Sequence, residues 1–404
     1  MLKSYLNQRF FAFIILIFCS GSSLAMILPI MSLFLTNEVG VNDFQLGLFF
    51  TCSSIFGIFV SQVIARFSDE RISRRLLIML GYFAGALMAL TYIICPKYEA
   101  IITIGIIFSS ISMIATPQVF ALAREYALFK YGDALMFTSY IRAVFSLSWV
   151  IIPPFTYFLF TQYGSFGSFS MAIGLFVTAV AVTFFTMPAK VFAGHDEPSS
   201  AVSGGAGNEK AGQLSLFRLI ATDKSIIYLF IVFLFLWCCN TAYLISMPIY
   251  ITRELNLDKS LPGYMMGTAA LLEIPVMIIG GVIAKRTGLK NMLLFSCFFG
   301  WLFYLLISVV PLCGWVLLVL QLFNALFIGI LASLGMVYMQ ELLPSVPGQA
   351  TTLYNNSVNT GNIISGMMVT LLMSLGSARY VFYCGTILTL IALLLLLMVR
   401  KVKL

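Results

Sequence analysis

The sequence predicts an all-α membrane protein with twelve transmembrane helices arranged as two pseudo-symmetric six-helix bundles. Three observations carry that expectation. The chain is 61% hydrophobic and only 9% charged over 404 residues, whereas soluble domains carry about a quarter charged residues. It divides into apolar stretches of about 20 residues, each long enough to cross a hydrocarbon core roughly 30 Å thick at 1.5 Å per residue. Its two halves also echo one another across a single polar segment.

The apolar stretches fall at 10–35, 44–65, 76–95, 100–123, 135–160, 166–188, 225–251, 261–284, 291–310, 313–340, 349–375 and 379–399. Short turns join nearly all of them. The first is too long for a cleaved leader and no small-residue cleavage site follows it, so it reads as a retained helix. All eight cysteines lie in or beside these stretches, without CxxC or Cys/His metal spacing, which assigns them to packing. No metal or cofactor is expected.

Basic residues give the orientation, because positively charged loops stay on the cytoplasmic side. Of 23 Lys and Arg, the far side of the membrane receives only Lys97, Arg253, Lys259 and Arg379, and Arg142 alone stands within a span. Both termini are therefore expected in the cytoplasm, in a multi-pass membrane protein. The net charge of +8 then reflects topology and attraction to anionic lipid headgroups, so no nucleic-acid partner is expected.

Between the sixth and seventh spans, Ala193 to Gln213 is Gly/Ser-rich and too polar to bury a core. It divides the chain into an N-terminal bundle at 1–192, a flexible cytoplasmic linker at 193–224 and a C-terminal bundle at 225–404. The only histidine, His195, lies in this linker, which excludes an imidazole proton relay within the membrane.

The halves repeat at a separation near 216 residues. Leu28-Pro29-Ile30 recurs as Met247-Pro248-Ile249, and Gly47 recurs as Gly263. The loop after the second span, Ala65 to Arg75 with Asp69, Arg71, Arg74 and Arg75, has its counterpart in Gly281 to Lys290 with Arg286 and Gly288. This loop resembles the G-x-x-x-D-R-x-G-R-R segment of the major facilitator superfamily, with Ala65 and Ser73 replacing its glycines and Lys285 its second-copy Asp. The resemblance implies two six-helix bundles rocking about a central cavity. It also implies that these loop residues form cytoplasmic contacts that differ between inward-open and outward-open states.

Polarity assigns the helices to positions. The third, sixth, ninth and twelfth spans carry no Asp, Glu, Asn, Gln, Lys, Arg or His in their cores and are expected to be peripheral. The others carry Gln62, Gln118, Arg142, Asn240, Glu273, Gln321, Asn324, Asn355, Asn356, Asn359 and Asn362. Hydrocarbon penalises such groups unless they find partners or a cavity. Thr352, Asn355, Asn359, Asn362 and Gly366 share one face of the eleventh helix, and Gln321 and Asn324 one face of the tenth. Amides donate and accept, so this set suits a hydroxyl-rich ligand such as a sugar. The alternative is helix-to-helix bonding, worth about 0.6 kcal/mol per residue. The candidate substrate residues are Gln118, Trp149, Asn240, Gln321, Asn324, Asn355 and Asn359.

Arg142 and Glu273 stand inside long apolar runs. A charge at mid-membrane costs at least roughly 2.5 to 3.5 kcal/mol, so both are expected to face a cavity or a partner. Arg142, Ser146, Trp149 and Pro153 share one face of the fifth span, where Trp149 offers an indole for stacking. Pro153-Pro154 removes two backbone donors and predicts an irregularity there.

Ala121 to Tyr126 (ALAREY), Arg142 to Pro154, Thr268 to Met277 (TAALLEIPVM), Gln321 to Gly335 (QLFNALFIGILASLG) and Ala350 to Asn355 (ATTLYN) resemble the bacterial sugar efflux transporter family. What this resemblance implies is proton-coupled export of small sugars or glycosides. Glu273 is expected to gain and lose a proton as the cavity alternates, with Arg142 opposing its protonation; a static Arg142–Glu273 gate is the alternative. The rival substrate class is amphipathic drugs, for which the 15% aromatic content would line a greasier cavity. No G-x-x-x-x-G-K-[ST], HExxH or GxSxG occurs, so neither an ATP-driven pump nor an enzyme is expected. The expected partners are substrate, protons and lipid, and the expected assembly is a monomer.

Overall fold

The computed structural model describes residues 8–68, 73–131, 135–187, 223–344 and 346–401. Asp69, Arg71 and most of the linker, including His195, lie outside them. In chain order the helices are α1 (Arg9–Val39), α2 (Asp43–Ser68), α3 (Arg74–Ile94), α4 (Tyr98–Tyr131), α5 (135–163) and α6 (165–186). Then follow α7 (Lys224–Glu254), α8 (Leu261–Thr287), α9 (Leu289–Val309), α10 (Gly314–Leu342), α11 (Pro347–Met373) and α12 (Arg379–Met398).

Among the described residues, ten helices are long and apolar enough to cross a membrane. One of the ten, Leu135–Thr186, is two helices: the chain reverses at Gly164, whose φ of 65° lies where a side chain would be strained. The twelfth is α11, 27 residues long, whose polar stripe lowers its hydropathy. The helical run passes through Pro153 and Pro154 unbroken; Gly164 is its only non-helical residue. The missing proline N–H groups leave the carbonyls of Trp149 and Val150 without their helical donors.

The chain forms two compact units, Met1–Asp196 with Asp258–Gly267, and Glu197–Leu257 with Thr268–Leu404. In the first, α1 lies directly on α5. A Cβ at Gly21 would sit 2.8 Å from Ser148 Cβ, and Thr156 Oγ1 and Tyr157 Oη donate to the carbonyls of Ala25 (3.0 Å) and Pro29 (2.6 Å). In the second, α7 crosses α11 at Gly361, where a Cβ would meet Leu234 O at 2.7 Å and Cys238 N at 3.0 Å. Only glycine lets these backbones approach so closely.

Each unit holds its sixth helix by charges at both ends. Glu38 accepts hydrogen bonds at the start of α6 from Ser165 N (2.9 Å) and Ser165 Oγ. Glu254 accepts at the start of α12 from Ala378 N (2.6 Å) and Ser377 Oγ (2.5 Å). At the opposite ends, Arg75 donates to Phe184 O (2.5 Å), and Lys290 donates to Leu397 O (2.8 Å) and Val399 O (2.5 Å). Carboxylates at helix starts and cations at helix ends complement the helix dipole.

Candidate functional site

The two intramembrane charges are placed by the faces of their helices. On α5, Leu147, Ile151, Phe155 and Phe158 form an exposed apolar stripe, continued by Ala143, of the kind hydrocarbon covers. Arg142, Ser146, Trp149 and Pro153 centre roughly 150° round the helix from that stripe. A third face, Ser148, Ile152 and Thr156, is buried against α1. Arg142 is exposed and Trp149 half-buried, so the polar face of α5 is open yet turned from its greasy side.

Glu273 stands the same way on α8. Tyr264, Leu271, Ile278, Ile279, Val282 and Ile283 form the exposed apolar side, and Glu273 lies roughly 160° round from their mean direction. Its turn is seated on α10. A Cβ at Gly329 would meet Val276 Cγ1 at 2.9 Å and Glu273 O at 3.4 Å, so a larger residue at 329 would push the Glu273 turn away.

The amides divide into bonded and open sets. Gln321 and Asn324 are 1% and 6% exposed. Gln321 Nε2 donates to Leu317 O (3.0 Å) and Tyr243 Oη (3.3 Å), and Asn324 Nδ2 donates to Gln321 Oε1 (3.1 Å). This buried chain ties α10 to α7. Gln118 is likewise engaged: its Oε1 accepts from Arg74 Nη1 (2.8 Å), while Arg74 Nε donates to Glu125 Oε1 (2.7 Å). Arg74 thus spans two turns of α4 from the start of α3.

By contrast, Asn240 and Asn359 are half-buried and Asn355 is exposed. None of these three has a hydrogen-bond partner within its own unit among the described residues. On α11, Asn362 is bonded across helices, its Oδ1 accepting from Thr241 Oγ1 at 2.7 Å. Of the remaining loop residues, Arg286 is exposed, and Gly288 takes a positive φ of 86° at the start of α9.

Sequence reasoning missed Tyr243 and Thr241, which fix Gln321 and Asn362. Their partners lie 78 and 121 residues away, and no spacing signal links them. It also passed over Glu38 and Glu254; their separation at the repeat interval was the available signal. Among the described residues, no group of three or more His, Cys, Asp or Glu side chains is arranged to hold a metal.

The chain matches the profile of the Major Facilitator Superfamily over residues 13–366. It is 40% identical over 357 residues to sugar efflux transporter A of Dickeya chrysanthemi, covering 88% of this chain and 87% of that one. It is 37% identical over 374 residues to sugar efflux transporter B of Salmonella typhimurium, covering 92% and 91%. Among solved structures, the nucleoside transporter NupG superposes with a TM-score of 0.80 at 14% identity, over 97% of this chain and 98% of that one. A bacterial homologue of the iron transporter ferroportin, in an inward-facing state, superposes with a TM-score of 0.73 at 12% identity, over 96% and 97%. At those identities the likeness shows the fold alone. By the profile and by relatives similar along nearly their whole length, this chain belongs to the major facilitator superfamily and, within it, to the bacterial sugar efflux transporter family.

Proposed function

We propose that this protein is a secondary active transporter that exports small sugars or glycosides from the cytoplasm by proton antiport and alternating access. The observation that carries the reading is the extent of the likeness to sugar efflux transporters A and B, 40% and 37% identical over about nine tenths of both chains. The open amides support it. Asn240, Asn355 and Asn359 offer donors and acceptors that their own unit leaves unused, the chemistry a polyhydroxylated ligand needs.

In this reading Trp149, Asn240, Asn355 and Asn359 contact substrate, while Gln118, Gln321 and Asn324 act from their bonded positions. Glu273, in the middle of α8, exchanges the coupling proton, and Arg142 is its electrostatic counterpart. The two cytoplasmic loops, with Asp69, Arg71, Arg74 and Arg75 in one and Arg286 and Gly288 in the other, change contacts between states. The protein works as a monomer in the bacterial inner membrane with both termini in the cytoplasm.

The test is uptake of labelled sugars and of cationic amphipathic dyes into everted membrane vesicles, with and without an acidic lumen. Sugar accumulation that depends on the proton gradient and collapses with a protonophore is the expected result. Dye accumulation without sugar uptake would assign the chain to drug export instead.

A further inference from the structure

Near the middle of α7, Trp237 holds its Nε1–H within the bundle with no hydrogen-bond partner among the described residues. A buried donor left unmade costs about 1 to 3 kcal/mol, which a bundle tolerates where something else completes it. The Tyr354 hydroxyl is the indole's polar neighbour, but it does not reach hydrogen-bond geometry. Tyr354 is instead packed edge-on against Phe233, ring centres 5.0 Å apart.

The face of α7 that carries the indole also carries an amide and a hydroxyl. Trp237, Asn240, Thr241 and Leu244 fall at i, i+3, i+4 and i+7, one face of α7, and none of them is fully buried. The packed side of the helix is another face, with Leu236, Cys239 and Tyr243 buried. The close crossing at Gly361 puts Trp237 Cβ within reach of α11, 3.4 Å from where a Cβ at 361 would stand. One residue further along α11, Asn362 Oδ1 is committed to Thr241. That bond fixes the amide so that Nδ2 is left as a donor with no acceptor in this unit among the described residues.

We infer that Trp237, Asn240 and Asn362 form a sugar subsite in the C-terminal unit, in which the indole packs on the sugar ring and its N–H donates to a hydroxyl oxygen. Asn362 Nδ2 supplies a second donor and the Asn240 amide a donor and acceptor. An aromatic plane beside convergent donors is the pairing that distinguishes a sugar from a purely apolar ligand. This subsite deepens the export reading and rests on it, and it makes Trp237 a specificity-determining residue.

Calorimetric titration of the purified full-length protein with glucose, lactose and methyl β-galactoside tests the subsite. Trp237→Phe keeps an aromatic ring and loses the N–H, and is expected to raise Kd roughly tenfold. Asn362→Ala is expected to do the same, and it keeps the test open if the Trp237 variant does not fold. Tyr354→Phe is expected to leave Kd unchanged. Unaltered affinity in Trp237→Phe, or an equal loss in Tyr354→Phe, overturns the subsite while leaving export intact. Failure of the unsubstituted protein to bind any of the three sugars overturns the export reading itself.

Discussion

Glu38 and Glu254 lie 216 residues apart and occupy equivalent positions in the two units. Each sits in a π turn that ends its unit's first helix, and each accepts from a serine that follows a glycine of positive φ, Gly164 before Ser165 and Gly376 before Ser377. The repeat recognised in short sequence matches therefore extends to hydrogen bonding. One arrangement of helix end, carboxylate and helix start is used twice.

Neutralising either clasp should loosen the corresponding helix start. Glu38→Gln and Glu254→Gln keep an oxygen acceptor but lose the charge that favours a helix N-terminus, so each is expected to cost about 0.5 to 1 kcal/mol. The two effects should add, because the clasps share no partner. Thermal unfolding of the detergent-solubilised protein measures both, and a double variant no weaker than either single one would mean the clasps are not independent.

Arg74 is held by two acceptors at once, and lysine cannot reproduce that fork. Arg74→Lys is expected to keep the attraction to Glu125 but lose the Gln118 contact. Both members of the ion pair are about a quarter exposed, so solvent screening limits their coupling to about 1 kcal/mol. A double-mutant cycle with Glu125→Gln gives that coupling directly. It should shrink at high salt, and a coupling indifferent to salt would point to packing rather than charge.

The helical spans were legible in the sequence because hydropathy and helical period fix them without reference to other helices. Tertiary pairing was not. Gln321 and Asn324 share a face as their spacing says, but whether that face meets a ligand or Tyr243 depends on a helix 78 residues away. Gln118 shows the same limit, since its partner Arg74 belongs to a loop motif read for other reasons. The prolines of α5 were legible as missing donors, yet the chain turns at Gly164, where only the conformational freedom of glycine allows the reversal.

Asp258, ahead of α8, gives a pH dependence whose sign follows from its contacts. Its carboxylate accepts from Ser260 N (2.8 Å) and Ser260 Oγ (2.7 Å), and the backbone and side-chain bonds from Ser260 hold it below the usual carboxylate range. A depressed folded value means that this contribution is present above the unfolded pKa near 4 and is lost as pH falls through the folded one. Asp258→Asn should therefore flatten the fall in melting temperature below about pH 4 and leave the neutral-pH slope unchanged. An identical acid profile in the variant would remove Asp258 from that window.

Glu273 faces away from the apolar stripe of α8, and its turn is fixed on Gly329, so substituting its side chain tests coupling more than folding. Glu273→Gln keeps shape and hydrogen bonding but cannot release a proton. If proton exchange occurs there, the variant should lose sugar-driven proton movement in proteoliposomes by at least tenfold, while exchange of labelled for unlabelled sugar at equal pH persists, because exchange needs no net proton transfer. Arg142→Gln discriminates further. An electrostatic counterpart should shift the pH at which coupled transport is half-maximal, whereas a static gate should leave that midpoint in place and alter only the rate. Proton movement retained in Glu273→Gln would place coupling on another carboxylate, and Glu125, whose Oε2 is buried without a partner among the described residues, is the next to substitute.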